Sequence, residues 1–391
     1  MNFFRLYSSS LSIKKFVCFF FILYSLFVIP SVHSNDQNNL ILFEADKLKL
    51  KAKILYDDFR FPWSLVFLPD GRILVTEKPG NLRIIERDFV VNPNPISGLP
   101  RINYGGQGGL FDIAIHPKYE NNKWIYFSYS GLSNGVWGTE LARARLNNNT
   151  LNDLQVIFTL KPKTKSNYHF GGKIIFDDDM YIYLSTGDRG EKNNSQIISN
   201  HAGSIIKIHD DGKIPNKNPF YNSKNSMKEI FSFGHRNIQG IAFHPETREL
   251  WANEHGPQGG DELNLIKAGS NYGWPVITFG VNYGIGTKIG EGTKKPGMEN
   301  PKYKWIPSIA TSGMTFITNN HFKEWKNDLL IASLKAKKLI KLEIKDNFVK
   351  NISTIFENLF GRIRNVKMGP DGFIYILTDE RHGKLIQISK Q

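Results

Sequence analysis

A single cysteine, Cys18, occurs among the 391 residues, and it falls inside an N-terminal apolar run. Residues 35–391 therefore hold neither a disulfide framework nor a cysteine metal site. Cys18 is also badly placed to begin a lipid-modified mature chain. Long hydrophobic runs are equally scarce: Phe16 to Ile29 is the one such stretch, preceded by Arg5, Lys14 and Lys15 and followed by Val32-His33-Ser34. A basic start, a short apolar centre and small residues at the cleavage-determining positions make residues 1–34 a secretory signal peptide. The run is too short for a comfortable membrane span, and the mature chain has no other; an uncleaved N-terminal anchor is the alternative. Export without disulfides suits a bacterial periplasm and a chain large enough to be stable on its core alone. A dense basic track is missing too. The formal net charge is +14, but the lysines are scattered among asparagines, with no concentration beyond residues 335–341. That pattern argues against nucleic acid and for a solvated surface that favours anionic ligands.

Helical periodicity is absent, and a repeat stands in its place. A turn followed by an apolar, aromatic-rich strand occurs six times, at Pro69-Asp-Gly-Arg-Ile-Leu-Val-Thr76, His116-Pro with Lys123–Ser128, Asp177–Ser185, His244–Ala252, Asn327–Ser333 and Gly369–Leu377. Each is preceded by another apolar stretch and most are followed by a third. Short strands at this spacing, with Asp-Gly and His-Pro turns, predict an all-β fold, a six-bladed β-propeller with long functional loops on one face. Each unit cannot bury its faces alone, so the units stack around an axis. Residues 35–391 are read as one such domain; an irregular pair of β-sandwiches is the weaker alternative. The surplus at residues 256–307 is too long for a blade connection and carries the composition of a functional loop.

Polar clusters recur at matching ends of the units: Gly105-Gly-Gln-Gly-Gly109, Asn167-Tyr-His-Phe-Gly-Gly172, Gly234-His-Arg-Asn237, residues 254–262, Leu334-Lys335 and Gly361-Arg-Ile-Arg364. In a propeller those ends converge over one cavity. His169, set in a Gly-rich turn, is either a general base or a histidine capping its own turn. His116 and His244, each before a proline, read as turn residues. The Gly105–Gly109 run is no phosphate loop, since no Gly-Lys-Ser/Thr follows; its glycines let backbone approach a flat ligand, with Gln107 as a hydrogen-bonding side chain. Glu254-His255 lacks the second histidine of a zinc-protease helix. With no thiol and mainly carboxylates, carbonyls and amides, the 254–272 segment favours a hard cation, calcium before magnesium, through the carbonyls of Gly256 and Pro257 and the Glu262 carboxylate. The alternative leaves Asp261 and Glu262 as ordinary turn acids. Arg236, Lys335, Arg362 and Arg364 gathered over one axis would demand an anionic ligand.

The motifs Gly-His-Arg-Asn-x-Gln-Gly, Glu-His-Gly-Pro-x-Gly-Gly-Asp-Glu-x-Asn and Asn-Tyr-Gly-Trp-Pro, with Gly-Gln-Gly-Gly-Leu, His-Phe-Gly-Gly, Thr-Gly-Asp-Arg-Gly and Arg-Ile-Arg-Asn, carry a resemblance. From about Phe61 to Ile388 the chain resembles the soluble pyrroloquinoline quinone (PQQ)-dependent sugar dehydrogenases, above all the shorter aldose sugar dehydrogenase branch. The resemblance implies a six-bladed propeller, PQQ and calcium as cofactors, and oxidation of the anomeric hydroxyl of an aldose to a lactone. It implies that His169 is the base, that Asp188 orients it, and that Arg236 stabilises developing negative charge beside the quinone. It likewise implies that Gln107, Arg236, Asn237 and Tyr283 contact the quinone, while Lys335, Arg362 and Arg364 hold its carboxylates. Gly256 and Pro257 would ligate the calcium that sits on the cofactor, and Glu262 with the Tyr272 carbonyl a further structural calcium. The expected partners are an aldose and an electron acceptor, for a monomer or homodimer. Tyr168 stands where the glucose-oxidising relatives have an acid. Two other classes compete: a calcium-dependent propeller lactonase, for which Lys335, Arg362 and Arg364 are superfluous, and a non-catalytic propeller binding a glycan or protein, which has no need of His169, Gln107 and Arg236 together.

Overall fold

A computed structural model describes residues 39–391; the leader assigned to residues 1–34 lies outside them. The regular structure of the described chain is almost wholly strand, with a helical turn at Tyr119–Asn122 and short 3-10 turns at Lys192–Gln196 and Lys323–Trp325.

The strands form six antiparallel sheets. Each begins with one of six strands, Pro62–Phe67, Leu110–Ile115, Gly171–Phe176, Ile238–Phe243, Thr311–Phe316 and Ile363–Met368. These six pack one against the next, and the last against the first, so they are the inner strands of a closed ring of six blades. The predicted propeller and its blade number are therefore the observed ones. The second strands Ile73–Glu77, Ile182–Thr186, Leu250–Glu254, Leu329–Ser333 and Ile374–Thr378 are buried at every position. Burial on both faces between neighbouring blades is why they read as nearly unbroken apolar runs. Tight turns deliver the chain into them, as at Gly71, whose φ of +89° suits glycine.

Neighbouring blades share cores. Trp251 and Leu263 of the fourth blade pack with Ile331 and Leu342 of the fifth, while Leu330 and Leu339 of the fifth pack with Val366, Ile376 and Ile388 of the sixth. Truncating such a fully buried leucine, Leu330→Ala for instance, removes about 2–5 kcal/mol.

Three features go beyond the sequence reading. The ring is closed by both chain ends: Leu40–Ala45 and Leu48–Phe59 add to the outside of the sixth blade, with Leu48–Phe59 pairing the C-terminal strand Gly383–Lys390. Outer strands such as Thr150–Thr159 and Phe348–Glu357 are largely exposed or half-buried and mix polar with apolar residues. Within the stretch read as one long loop, Asp261–Ile266 is the third strand of the fourth blade and Tyr303–Trp305 its fourth. The acid pair at its start made that strand look like a loop, and the true connection is residues 267–302.

All six inner strands carry a register shift within their first few residues. A bulge breaks the alternation and re-aims side chains. Repeated six times at one end of the ring, it turns polar and aromatic groups toward the axis there.

Candidate active site

The bulged ends surround a cavity of about 240 Å³ that every blade helps to line. Its wall includes Trp63, Phe111, Phe170, Asn237, Gln239, Arg362 and Arg364, with Ala310 just before the fifth inner strand and Gln107 from a loop. The rings of Trp63 and Phe170 flank Phe111 at centroid distances of 5.7 and 5.4 Å, giving one side an aromatic surface. The opposite chemistry is cationic. Arg362 Nη2 and Arg364 Nη2 donate to the same oxygen, Oδ2 of Asp379, at 3.1 and 2.9 Å, and Arg364 Nη1 donates to Gln239 Oε1 at 3.1 Å. Burial alone would raise the Asp379 carboxyl, but the charges and hydrogen bonds of Arg364 and Arg362 hold it below the ordinary carboxylate range. Neither Asp379 nor Lys78, which also lines the cavity, stands out in the sequence; a lone acid in a turn carries no signal until its partners are known. Lys335, expected among these cations, is exposed, and its neighbour Leu334 lines the cavity.

A second, more open cavity of about 310 Å³ lies beside the first, lined by His169, Asp188, Arg236, Pro257, Trp274 and Tyr283 among others. Two links join the walls. Gln107 of the first cavity accepts the His169 N–H at 2.8 Å, and Arg236 of the second donates to the carbonyl of His255, on the first, at 3.1 Å. His169, Arg236 and Arg364, far apart in sequence, thus serve one mouth of the ring. The Gly105–Gly109 loop reaches this point because Gly106 has φ +56° and no room for a side chain: a Cβ would stand 2.7 Å from Asn167 Cβ. Those glycines admit backbone of the His169 segment.

His169 Nδ1 lies 2.5 Å from Asp188 Oδ1. Asp188 is 1 % exposed and receives two further donors, the Gly190 N–H at 2.7 Å and Trp274 Nε1 at 2.8 Å. Burial opposes its ionisation, yet the His169 hydrogen bond, the His169 and Arg236 charges and the Gly190 N–H together leave its pKa lowered. A carboxylate so fixed takes Nδ1–H of the imidazole and leaves the basic lone pair on Nε2. Arg236 stacks over Trp274 at 5.4 Å and keeps its Nε buried without a hydrogen-bond partner, as does Arg364. Unpartnered buried guanidinium N–H groups suit an anionic ligand. Asn237 Oδ1 accepts the Gly171 N–H at 3.1 Å. His255, also missed, bonds through Nε2 to the Thr311 carbonyl at 2.6 Å; burial keeps it neutral, its pKa pushed down to about 4.

Behind Arg236 is a small void of about 10 Å³ walled by Glu254, Gly256, Glu262 and Tyr272 among others. Gly256 thus backs onto this void while Pro257 faces the open cavity with His169. Asp261 is spent on the loop, accepting the N–H groups of Gly256 and Ala310 at 2.9 and 2.7 Å. Glu254 is engaged by His235 Nδ1 at 2.9 Å and by the Arg236 N–H at 2.6 Å. Glu262 has only a 3.3 Å contact from Asn264 Nδ2, and burial with Glu254 beside it lifts its pKa to about 8. A buried and a half-buried carboxylate at a void the size of one small occupant fit a hard cation with carbonyl help. Among the described residues no three His, Cys, Asp or Glu side chains form a cage.

Comparison with known proteins shows the family. A curated relative, aldose sugar dehydrogenase YliI of Escherichia coli, is 37 % identical over 346 residues, covering 87 % of this chain and 93 % of its own. Quinoprotein glucose dehydrogenase B of Acinetobacter calcoaceticus is 26 % identical over 84 % of this chain and 85 % of its own. The crystal structure of the soluble aldose sugar dehydrogenase from Escherichia coli in its apo form superposes with a TM-score of 0.83 at 36 % identity, covering 88 % of this chain and all of that one. Residues 59–387 match the model of the glucose/sorbosone dehydrogenase family, and to that family the chain belongs.

Proposed function

We propose that this chain is an exported, periplasmic oxidoreductase that uses PQQ and calcium to oxidise the C1 hydroxyl of aldoses to lactones. Sugar oxidation follows from the family; the cofactors, the compartment and the residue roles are the finer reading. The observation that carries it is the His169–Asp188 pair opening on the same mouth as a cationic, amide-lined cavity with an aromatic side. The names of the relatives, an aldose sugar dehydrogenase and a quinoprotein, support the substrate class and the cofactor.

The cavity fits the quinone by its chemistry: an aromatic side for a planar ring, Arg362, Arg364 and Lys78 for carboxylates, Gln107 and Asn237 for carbonyl edges. PQQ, if bound there, would supply the hydride-accepting chemistry, and calcium a Lewis acid. The chain's own work is placement and proton handling. Asp188 fixes the imidazole, Nε2 of His169 takes the hydroxyl proton, and Arg236 supplies positive charge to the oxygen where negative charge develops. Gly256 and Pro257 offer carbonyls for a cation at the cofactor, and Glu262 with the Tyr272 carbonyl a second cation. Among the described residues no helix is long and apolar enough to cross a membrane. The electron acceptor and the choice between monomer and homodimer are left to experiment. The lactonase reading is disfavoured by the cationic cavity, which hydrolysis does not need.

The test is to add PQQ and calcium to the purified apoprotein and follow bleaching of a redox dye across an aldose panel. Bleaching that needs aldose, quinone and calcium together is expected. A folded protein that bleaches with no aldose, but opens lactones with calcium alone, would overturn the reading.

A further inference from the structure

Arg189 is completely buried, and its guanidinium makes no ion pair among the described residues. Burying a cation without a direct counter-charge costs several kcal/mol unless strong acceptors replace water. The acceptors here all come from one short segment. Nη1 donates to the carbonyls of Tyr168 at 2.5 Å and His169 at 3.3 Å, and Nη2 to the carbonyl of Ser166 at 2.5 Å. The guanidinium carbon sits 3.6 Å from the centroid of Phe170. One side chain therefore grips residues 166, 168, 169 and 170 together.

That segment needs gripping. His169 has φ +49°, the left-handed region that non-glycine residues rarely hold without support. Space on the other side is closed, since a Cβ on Gly187 would stand 2.1 Å from the His169 carbonyl oxygen. Arg189 follows Asp188 directly. Adjacent side chains of one dipeptide thus hold the two halves of the same histidine, Asp188 the ring and Arg189 the backbone.

The geometry assigns Arg189 a positioning role: by fixing the carbonyls of Ser166, Tyr168 and His169, it holds His169 in the left-handed conformation from which its ring meets Asp188 and faces the open cavity. Arg189 does not touch that cavity and acts through His169. This role rests on His169 being the base.

The test compares Arg189→Lys and Arg189→Met, each alone and combined with His169→Ala. Lysine keeps charge and bulk, but a single ammonium on a thinner stem cannot span three carbonyls. Both Arg189 variants are expected to lower kcat about 10–100-fold, as misplacement of a reacting group does. PQQ affinity of the apoprotein, read by fluorescence quenching, should stay within about threefold. On a His169→Ala background, the Arg189 substitutions should cost less than about twofold more, because a residue acting only through His169 has nothing left to position. Three results would overturn the role: wild-type kcat in Arg189→Lys, equal fold-losses on both backgrounds, or failure of Arg189→Lys to fold, which would make the residue a staple of the blade. If His169→Ala alone left turnover unchanged, the base assignment itself would fall, which is a different outcome.

Discussion

His169 and Asp188, nineteen residues apart, meet at 2.5 Å through Nδ1 and Oδ1, on segments that lie beside the inner and second strands of the third blade. The imidazole is held by its Nδ1, so in the proposed reaction Nε2 is the nitrogen that would take the proton. His169→Ala is expected to lower kcat by about 10²–10⁴-fold while PQQ still binds. Asp188→Asn should fall in the same range, because an amide does not fix the tautomer. The Asp188 carboxyl titrates below its ordinary value of 3.8 despite burial. Its contribution to stability is therefore present above the unfolded value and lost only as pH falls through the lower, folded one. Loss of turnover between about pH 5 and 7 then belongs to another group. A pH profile of kcat for Asp188→Asn, displaced downward without a new inflection in that span, is the check.

Asp379 accepts from Arg362 and Arg364 at a single oxygen, so it sets where two cations of the first cavity stand. Arg364→Ala should weaken PQQ binding to the apoprotein about tenfold or more, the worth of one hydrogen bond to a charged partner. Asp379→Asn should destabilise the fold by about 1.5–3 kcal/mol at neutral pH. Its carboxyl is depressed, so the stabilisation it gives exists above the unfolded carboxylate value and vanishes as pH drops through the folded one. The difference in Tm between the parent and Asp379→Asn should be widest above about pH 5 and shrink below about pH 4.

Where the sequence was legible, the reason is burial. Second strands such as Ile374–Thr378 are apolar because blades cover both faces, and here Asp371-Gly372 marks the turn before the strand; such runs announce themselves. Thr150–Thr159, exposed along most of its length, has no such pressure and passes for loop. Leu48–Phe59 alternates in its first half, but its partner is the far end of the chain, and only ring closure explains it. At the site, His169 and Arg236 stood out because glycine-rich turns surround them. Asp379 and Arg189 did not: one is an acid in an ordinary turn, and the other is defined by three carbonyls that the sequence does not point to.

Between the inner strands of the second and third blades, Lys173 Nζ stands 3.2 Å from Asp112 Oδ2, both side chains almost fully buried. Asp112 also accepts from Ser64 Oγ at 2.5 Å and the Ile174 N–H at 2.8 Å, and Lys173 lies 4.7 Å from the Trp63 ring that lines the cavity. Removing one partner of a buried pair leaves an uncompensated charge, which costs about 3–5 kcal/mol. Lys173→Met and Asp112→Asn should each lower Tm strongly. The double variant should recover part of the loss, with a clear coupling energy in the cycle. Strict additivity in thermal unfolding would mean that the two charges stabilise the ring independently.

The void between Glu254 and Glu262 offers the last test, and it needs no turnover. Burial and the facing Glu254 hold the Glu262 carboxyl up at about 8, so the metal-free chain keeps it protonated at neutral pH. Its raised value means that this group favours folding less as pH rises through the unfolded value of 4.5 toward 8, because the unfolded chain gives up its proton first. A calcium ion bound in the void would reverse the penalty by favouring the ionised form. Calcium at a hundredfold excess over its dissociation constant should stabilise the chain by about 2.7 kcal/mol per site, seen as a rise in Tm that EDTA removes. Glu262→Gln keeps the shape but not the charge, so it should remove most of that rise while sparing the stability of the metal-free chain. A calcium-dependent rise that survives in Glu262→Gln would place the stabilising ion elsewhere, with the carbonyls of Gly256 and Pro257 the next residues to test.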